Sequence, residues 1–255
     1  MNVTLRGMKL NYVDLGSGEP ILVLHGWGSN LEVHRAMLEQ LARGYRVLAL
    51  DLPGFGESDE PPCAYGVDDF ADVVLEFLQP FGFSSLTLIG HSFGGRIIIK
   101  LANRTLPFAV RRIVLIDSAG IRPQPTKKGG ARRRRYRFLR AIAGFAPVRR
   151  LFPGALEALR KRFGSADYAA ASPRMRECLV KTVNEDLTPL LPGVRSETLL
   201  IWGENDTATP LSDGQTMEKA MPNAGLAVIP NAGHFCFLEQ PVIFSRIIAS
   251  FFRLE

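Results

Sequence analysis

Short runs of branched aliphatic residues alternate with helical spacing along most of this chain, and that alternation narrows the fold more than any other feature. Pro20-Ile21-Leu22-Val23-Leu24, Arg46–Leu50, Leu86-Thr87-Leu88-Ile89, Arg112–Ile116, Thr198–Trp202 and Ala224–Ile229 read as strands. Helical patterns separate them near 67–81, 94–103, 211–220 and 241–252. Strands alternating with helices build a parallel sheet covered on both faces. A run as fully apolar as Leu86–Ile89 belongs at the centre of such a sheet. Residues 3–14 read as an opening hairpin. The expected fold class is α/β, with a mostly parallel central sheet and helices on both faces.

The alternation stops between Gly120 and about Gly193, where helical spacing replaces strands. This predicts a core made of 1–119 and 194–255, with 120–193 inserted as a helical cap over the carboxyl edge of the sheet. Charge marks the same segment. Residues 122–162 hold 14 Lys or Arg, among them Arg132, Arg133, Arg134 and Arg135, against the single acid Glu157. The segment is thus +13 in a chain of net +6, which leaves −7 on the rest. Its readings are solvated faces of cap helices, attraction of anionic substrates, and contact with a membrane surface aided by Tyr136, Phe138, Leu139 and Ile142. No nucleic-acid partner is expected, because no recognised nucleic-acid-binding motif accompanies the charge.

Cys63, Cys178 and Cys236 are widely spaced and match no zinc or CxxC pattern. An odd number of cysteines without an export signal points to free thiols in a reducing compartment, hence the cytoplasm.

The chemistry centres on Gly90-His91-Ser92-Phe93-Gly94-Gly95, directly after the most apolar strand and directly before a helix. A serine there sits on a tight strand-to-helix turn with its hydroxyl at the carboxyl edge of the sheet. The helix amino terminus offers free N–H groups to a developing negative charge. His25-Gly26-Trp27-Gly28 follows another apolar strand, and its glycines let the backbone pass close to the nucleophile. The Trp27 N–H, paired with the Phe93 N–H, would form an oxyanion hole. The His25 side chain is read as a structural group satisfied by backbone.

A serine nucleophile needs a base. His234, in the loop Asn231-Ala232-Gly233-His234 after the last strand, reaches the edge where Ser92 must lie, whereas His34 falls in a helical pattern and the turn should aim His91 elsewhere. The third member should be an acid ending a neighbouring strand. Asp206 in Trp202-Gly203-Glu204-Asn205-Asp206 is preferred; Asp117, after Ile113–Ile116, is the rival and is read as a structural end-of-strand acid.

These pieces, in this order and spacing, resemble the α/β-hydrolase superfamily over nearly all 255 residues: HGWG at 25–28, DLPGFGESD at 51–59, GHSFGG at 90–95, WGENDTATP at 202–210 and NAGH at 231–234. The resemblance implies a catalytic triad of Ser92, Asp206 and His234, oxyanion donors at Trp27 and Phe93, and a structural turn at 51–59. It implies no metal or organic cofactor. A serine nucleophile favours a small-molecule carboxylic ester as the substrate. Arg96, in Ser92-Phe93-Gly94-Gly95-Arg96, is similar to a carboxylate-binding arginine of the menaquinone-pathway synthase, so carbon–carbon bond hydrolysis or lysis stands as an alternative. A ligand receptor on the same scaffold is a third reading.

Overall fold

The computed structural model describes residues 1–122 and 166–254, together with Arg150 and Gly154. The arginine run at 132–135 and most of the basic segment lie outside the described residues.

Eight strands form one sheet in the order β1-β2-β4-β3-β5-β6-β7-β8. They are β1 (Asn2–Leu5), β2 (Met8–Leu15), β3 (Pro20–Leu24), β4 (Arg46–Leu50), β5 (Ser85–His91), β6 (Ala109–Ile116), β7 (Glu197–Gly203) and β8 (Ala224–Ile229). β1 and β2 form the opening hairpin, and β2 joins β4 antiparallel. Every pairing from β4 through β8 is parallel. The expected sheet is present, with β6 starting three residues earlier than the apolar run suggests.

The sequence pattern of the central strands explains why both faces are covered. Leu22 and Leu24 of β3 pack into one core and Ile21 and Val23 into the other; Leu48 and Leu50 against Val47 and Ala49 repeat the split in β4. Alternate residues point to opposite faces of a strand. An apolar residue at every position therefore demands helices on both sides. One face is covered by α2 (Val67–Leu78), α3 (Phe93–Ala102) and α6 (Leu211–Ala220); α1 (Arg35–Leu41), α7 (Cys236–Glu239) and α8 (Pro241–Phe252) cover the other. Each fully buried side chain such as Phe70, Phe77 or Ile248 contributes about 1.5–3 kcal/mol.

Between β6 and β7 the described part of the insert supplies α4 (Ala166–Ala170) and α5 (Pro173–Asn184). One face of α5 docks on the loop after β4. Arg174 Nη1 donates to the Pro61 carbonyl at 3.0 Å, the Tyr65 amide to Cys178 Sγ at 3.1 Å, and Lys181 Nζ to the Ala64 carbonyl at 2.5 Å. Positions 174, 178 and 181 share a face because they recur at helical spacing. The Leu187 amide then donates to the Gly120 carbonyl at 2.9 Å, so the chain leaves and rejoins the core at one place.

Candidate active site

β3 lies between β4 and β5, so the chain turns to opposite sides of β3 in consecutive connections. Crevices at the carboxyl edge open where strand order reverses in this way. The loops after β3, β5, β7 and β8 carry Trp27, Ser92, Asp206 and His234; the rival acid Asp117 follows β6, and Arg96 lies in α3.

Ser92 joins β5 to α3 with φ 49° and ψ −109°. A non-glycine residue in that region costs on the order of 1–3 kcal/mol and persists only where its surroundings impose it. Here the imposing contacts are close. A Cβ built on Gly94 would collide with the Leu24 carbonyl, so α3 can pack onto β3 only with glycine there. A Cβ on Gly26 would stand 3.2 Å from Ser92 Cβ and 2.8 Å from His91 Nδ1. The loop after β3 therefore runs directly beside the serine. No backbone acceptor among the described residues is bonded to the Trp27 or Phe93 N–H.

Ser92 Oγ is 3.0 Å from His234 Nε2, and His234 Nδ1 is 2.8 Å from Asp206 Oδ2. With Nδ1 facing a carboxylate, Nδ1 carries the proton and Nε2 presents its lone pair to the serine hydroxyl. Asp206 is itself fixed: Oδ1 accepts from the Ala208 amide at 2.8 Å and the Thr209 amide at 3.1 Å. Burial works to raise the Asp206 carboxyl, but hydrogen bonds from His234 and Thr209 outweigh it and hold the pKa below the ordinary value. Burial likewise works to lower His234, and the Asp206 carboxylate outweighs it, leaving the imidazole raised.

Asp117, the rival acid, is fully buried and does not bond His234. Its Oδ1 accepts from the Gly203 amide at 2.7 Å and its Oδ2 from the Cys236 amide at 3.3 Å. His25 is held by backbone on both ring nitrogens, Nδ1 to the Gly26 carbonyl at 2.7 Å and Nε2 from the Leu52 amide at 2.9 Å. Arg96 is buried, and its Nη1 donates to the Glu185 carbonyl at 2.7 Å, where the insert returns to the core. In the 51–59 turn, Asp51 accepts from the Leu31 and Glu57 amides and from Asn11 Nδ2.

Two neighbours, Thr209 and Asp167, escaped the sequence reading, and His91, expected only to point elsewhere, has a contact that reading did not assign. Thr209 Oγ1 lies 2.7 Å from Asp206 Oδ2, 3.0 Å from the Asp117 carbonyl and 3.3 Å from His234 Nδ1. Its place three residues after Asp206, where a side chain can close a local turn, was the available signal. His91 Nε2 donates to the His234 carbonyl at 2.9 Å, so its ring turns from the serine hydroxyl yet touches the histidine. Asp167 of α4 stands beside the glycine loop, with Oδ1 3.7 Å from a Cβ built on Gly28.

Among the described residues no cluster of His, Cys, Asp and Glu could hold a metal ion, and no helix is long and apolar enough to cross a membrane.

The model of a family described as alpha/beta hydrolase fold matches residues 19–241. A 2-hydroxymuconate semialdehyde hydrolase of Pseudomonas sp. (strain CF600) is 30% identical, over 96% of this chain and 90% of its own. Among solved structures, a thermophilic esterase from Thermogutta terrifontis is 26% identical with a TM-score of 0.73, covering 99% of this chain and 96% of that one. A meta-cleavage product hydrolase from Pseudomonas fluorescens IP01 is 27% identical at the same TM-score, covering 99% and 97%.

Proposed function

The chain belongs to the α/β-hydrolase fold family, and from that premise we propose that it is a serine hydrolase cleaving a small carboxylic ester, a carboxylesterase. The observation that carries this reading is the hydrogen-bonded run from Ser92 Oγ through His234 to Asp206. Ser92 Oγ attacks the ester carbonyl carbon while His234 Nε2 takes its proton. Asp206 fixes the imidazole tautomer and stabilises its protonated form. The carbonyl oxygen becomes an oxyanion received by the Trp27 and Phe93 N–H groups, each such donor worth about 2.7–4 kcal/mol in comparable sites. Collapse breaks the bond to the alkoxy group, which leaves with the proton from His234. Water then attacks the acyl-enzyme, giving its proton to His234, and the carboxylic acid departs as Ser92 recovers its hydroxyl. The insert at 120–193, most of which lies outside the described residues, is proposed as a cap for this edge, and the three free thiols fit a cytoplasmic enzyme.

Carbon–carbon bond hydrolysis is the second reading. It is favoured by the similarity to hydrolases named for 2-hydroxymuconate semialdehyde and for meta-cleavage products. Two placements favour the ester. Arg96, the candidate carboxylate binder, is engaged with the Glu185 carbonyl, and the acid Asp167 stands beside the Gly28 loop.

Purified protein assayed on a nitrophenyl acyl-ester series and on a ring-cleavage dienoate decides between the two. Faster turnover of the dienoate reverses the order. A fluorophosphonate adduct on Ser92, lost with all ester turnover in a folded Ser92→Ala variant, is the expected result. Labelling that survives Ser92→Ala sinks the nucleophile assignment, and acylation without turnover makes the chain a receptor.

A further inference from the structure

Asp117 is a buried ionisable group that the reaction above does not use. It follows β6 with φ 43°, a left-handed conformation that Asp adopts more readily than most residues. All of its polar atoms are committed. Its amide donates to the Ile201 carbonyl at 2.9 Å, and its own carbonyl faces Thr209 Oγ1 at 3.0 Å. Its carboxylate receives the Gly203 and Cys236 amides. These partners bracket the site. Gly203 begins the turn to Asp206, whose amide donates back to the Gly203 carbonyl at 3.2 Å. Cys236 opens α7, two residues after His234. One buried carboxylate thus spans the loop that carries the acid and the loop that carries the histidine.

We propose that Asp117 is a positioning residue for the hydrolytic reaction, its carboxylate clamping the Gly203 and Cys236 amides so that Asp206 and His234 meet at hydrogen-bonding distance. This rests on the triad reading. The backbone between Gly203 and Asp206, and between His234 and Cys236, is only two or three residues long, so a shift at either amide reaches the imidazole. A misplacement of about 1 Å in a reacting array can cost about 100-fold in rate. Where it is ionised, at and above about pH 7, Asp117 also adds negative charge near His234. The ionisable groups facing Asp117 are Asp206 from the loop after β7 and Cys236 from α7. Those facing His234 are Asp206, Asp117, Asp167 of α4 and His91 at the end of β5.

Asp117→Asn and Asp117→Gly test this without disturbing the left-handed backbone, which both residues tolerate. Asn offers a single acceptor to two amide donors; Gly removes the clamp entirely. Both should lower kcat for a nitrophenyl ester by about 10- to 100-fold with KM changed less than about twofold. The upper part of the acid limb of kcat/KM, near pH 7 where Asp117 ionises, should move to lower pH, because removing that charge favours neutral His234. A residue that merely supports the fold would lower the melting temperature and leave that limb in place. Unchanged kcat and an unmoved limb in both variants overturn the proposal, as does loss of a cooperative melt in both, which would leave Asp117 purely structural. Fluorophosphonate labelling of wild-type Ser92 is the control. Its absence sinks the triad reading, whereas normal labelling with unaltered variants sinks the clamp alone.

Discussion

His91 holds the backbone of His234: its Nε2 donates to the His234 carbonyl at 2.9 Å, and the two rings lie 5.1 Å apart. The residue immediately before the serine thereby fixes the loop that brings the histidine to it. Burial, followed by the neighbouring His34 and His234, drives the His91 imidazole well below its ordinary pKa, so it acts as a neutral donor.

Replacing His91 with Leu should leave that carbonyl without its partner and destabilise the protein by about 1–3 kcal/mol. Ester turnover should fall with it. Gln can supply an N–H from a similar reach, so His91→Gln should restore part of both. Urea unfolding and steady-state kinetics on the two variants check this. Equal losses for Leu and Gln would mean that ring packing against Phe235 and Phe237, not the hydrogen bond, is what matters.

Asp206→Asn should lower kcat about 10⁴-fold, as in the serine-protease case, because an amide can hold the wrong imidazole tautomer. The Asp117 substitutions should cost far less. Matched kinetics on both positions would settle the ranking, and a larger loss at Asp117 would move the acid there.

Asp117 also leaves a signature in stability. Burial pushes its carboxyl up to about 7, against hydrogen bonds from Cys236 and the Gly203 amide. An acid whose folded pKa lies above its unfolded value keeps its proton when the unfolded chain has lost it, so stability falls as pH rises between the two. Asn does not titrate. The melting-temperature advantage of wild type over Asp117→Asn should therefore shrink from about pH 4 to about pH 7 and then level off. Asp206 and His234 titrate in both proteins and largely cancel in the difference. A gap independent of pH would show that Asp117 is ionised throughout.

The strands were legible because their apolar runs are continuous, and a strand buried on both faces has no other way to be written. The serine was legible because Gly90 and Gly94 flank it, each lacking a side chain where α3 presses on the sheet. Asp206 and Asp117 looked alike in sequence, as both are acids ending strands. What separates them is a turn: Asp206 closes one on the Ala208 and Thr209 amides and so presents Oδ2 outward, while Asp117 turns inward to two amides. Neither orientation follows from residue spacing. His91 and Asp167 reach the site through a side-chain contact across 143 positions of sequence or through a helix of the insert, which no local pattern encodes, whereas Thr209 lies only three residues after Asp206.

Charge near His234 gives the last prediction. Residues 122–162 are strongly basic, yet Asp167 of α4 stands beside Gly28 and adds negative charge near His234. Most of the basic segment lies outside the described residues, and we propose that the two features pull substrate selection in opposite directions. Cationic charge near a cleft raises the local concentration of anions, and a carboxylate beside the Gly28 loop repels them. Asp167→Asn should therefore raise kcat/KM for a hemisuccinate ester by about two- to fivefold relative to a neutral ester of equal size. It should also shift the acid limb of kcat/KM to lower pH, since His234 loses one of the anions that raise it. Replacing Arg132, Arg133, Arg134 and Arg135 with Gln should act oppositely on the anionic ester. Both effects should weaken with salt, because exposed charges are screened over about 10 Å at 0.1 M. Steady-state kinetics on the two esters at low and high ionic strength separate the contributions. An arginine effect equal for both esters, or insensitive to salt, would return the basic run to a solvated face. An Asp167 substitution that leaves both the ester ratio and the acid limb unchanged would remove α4 from the site.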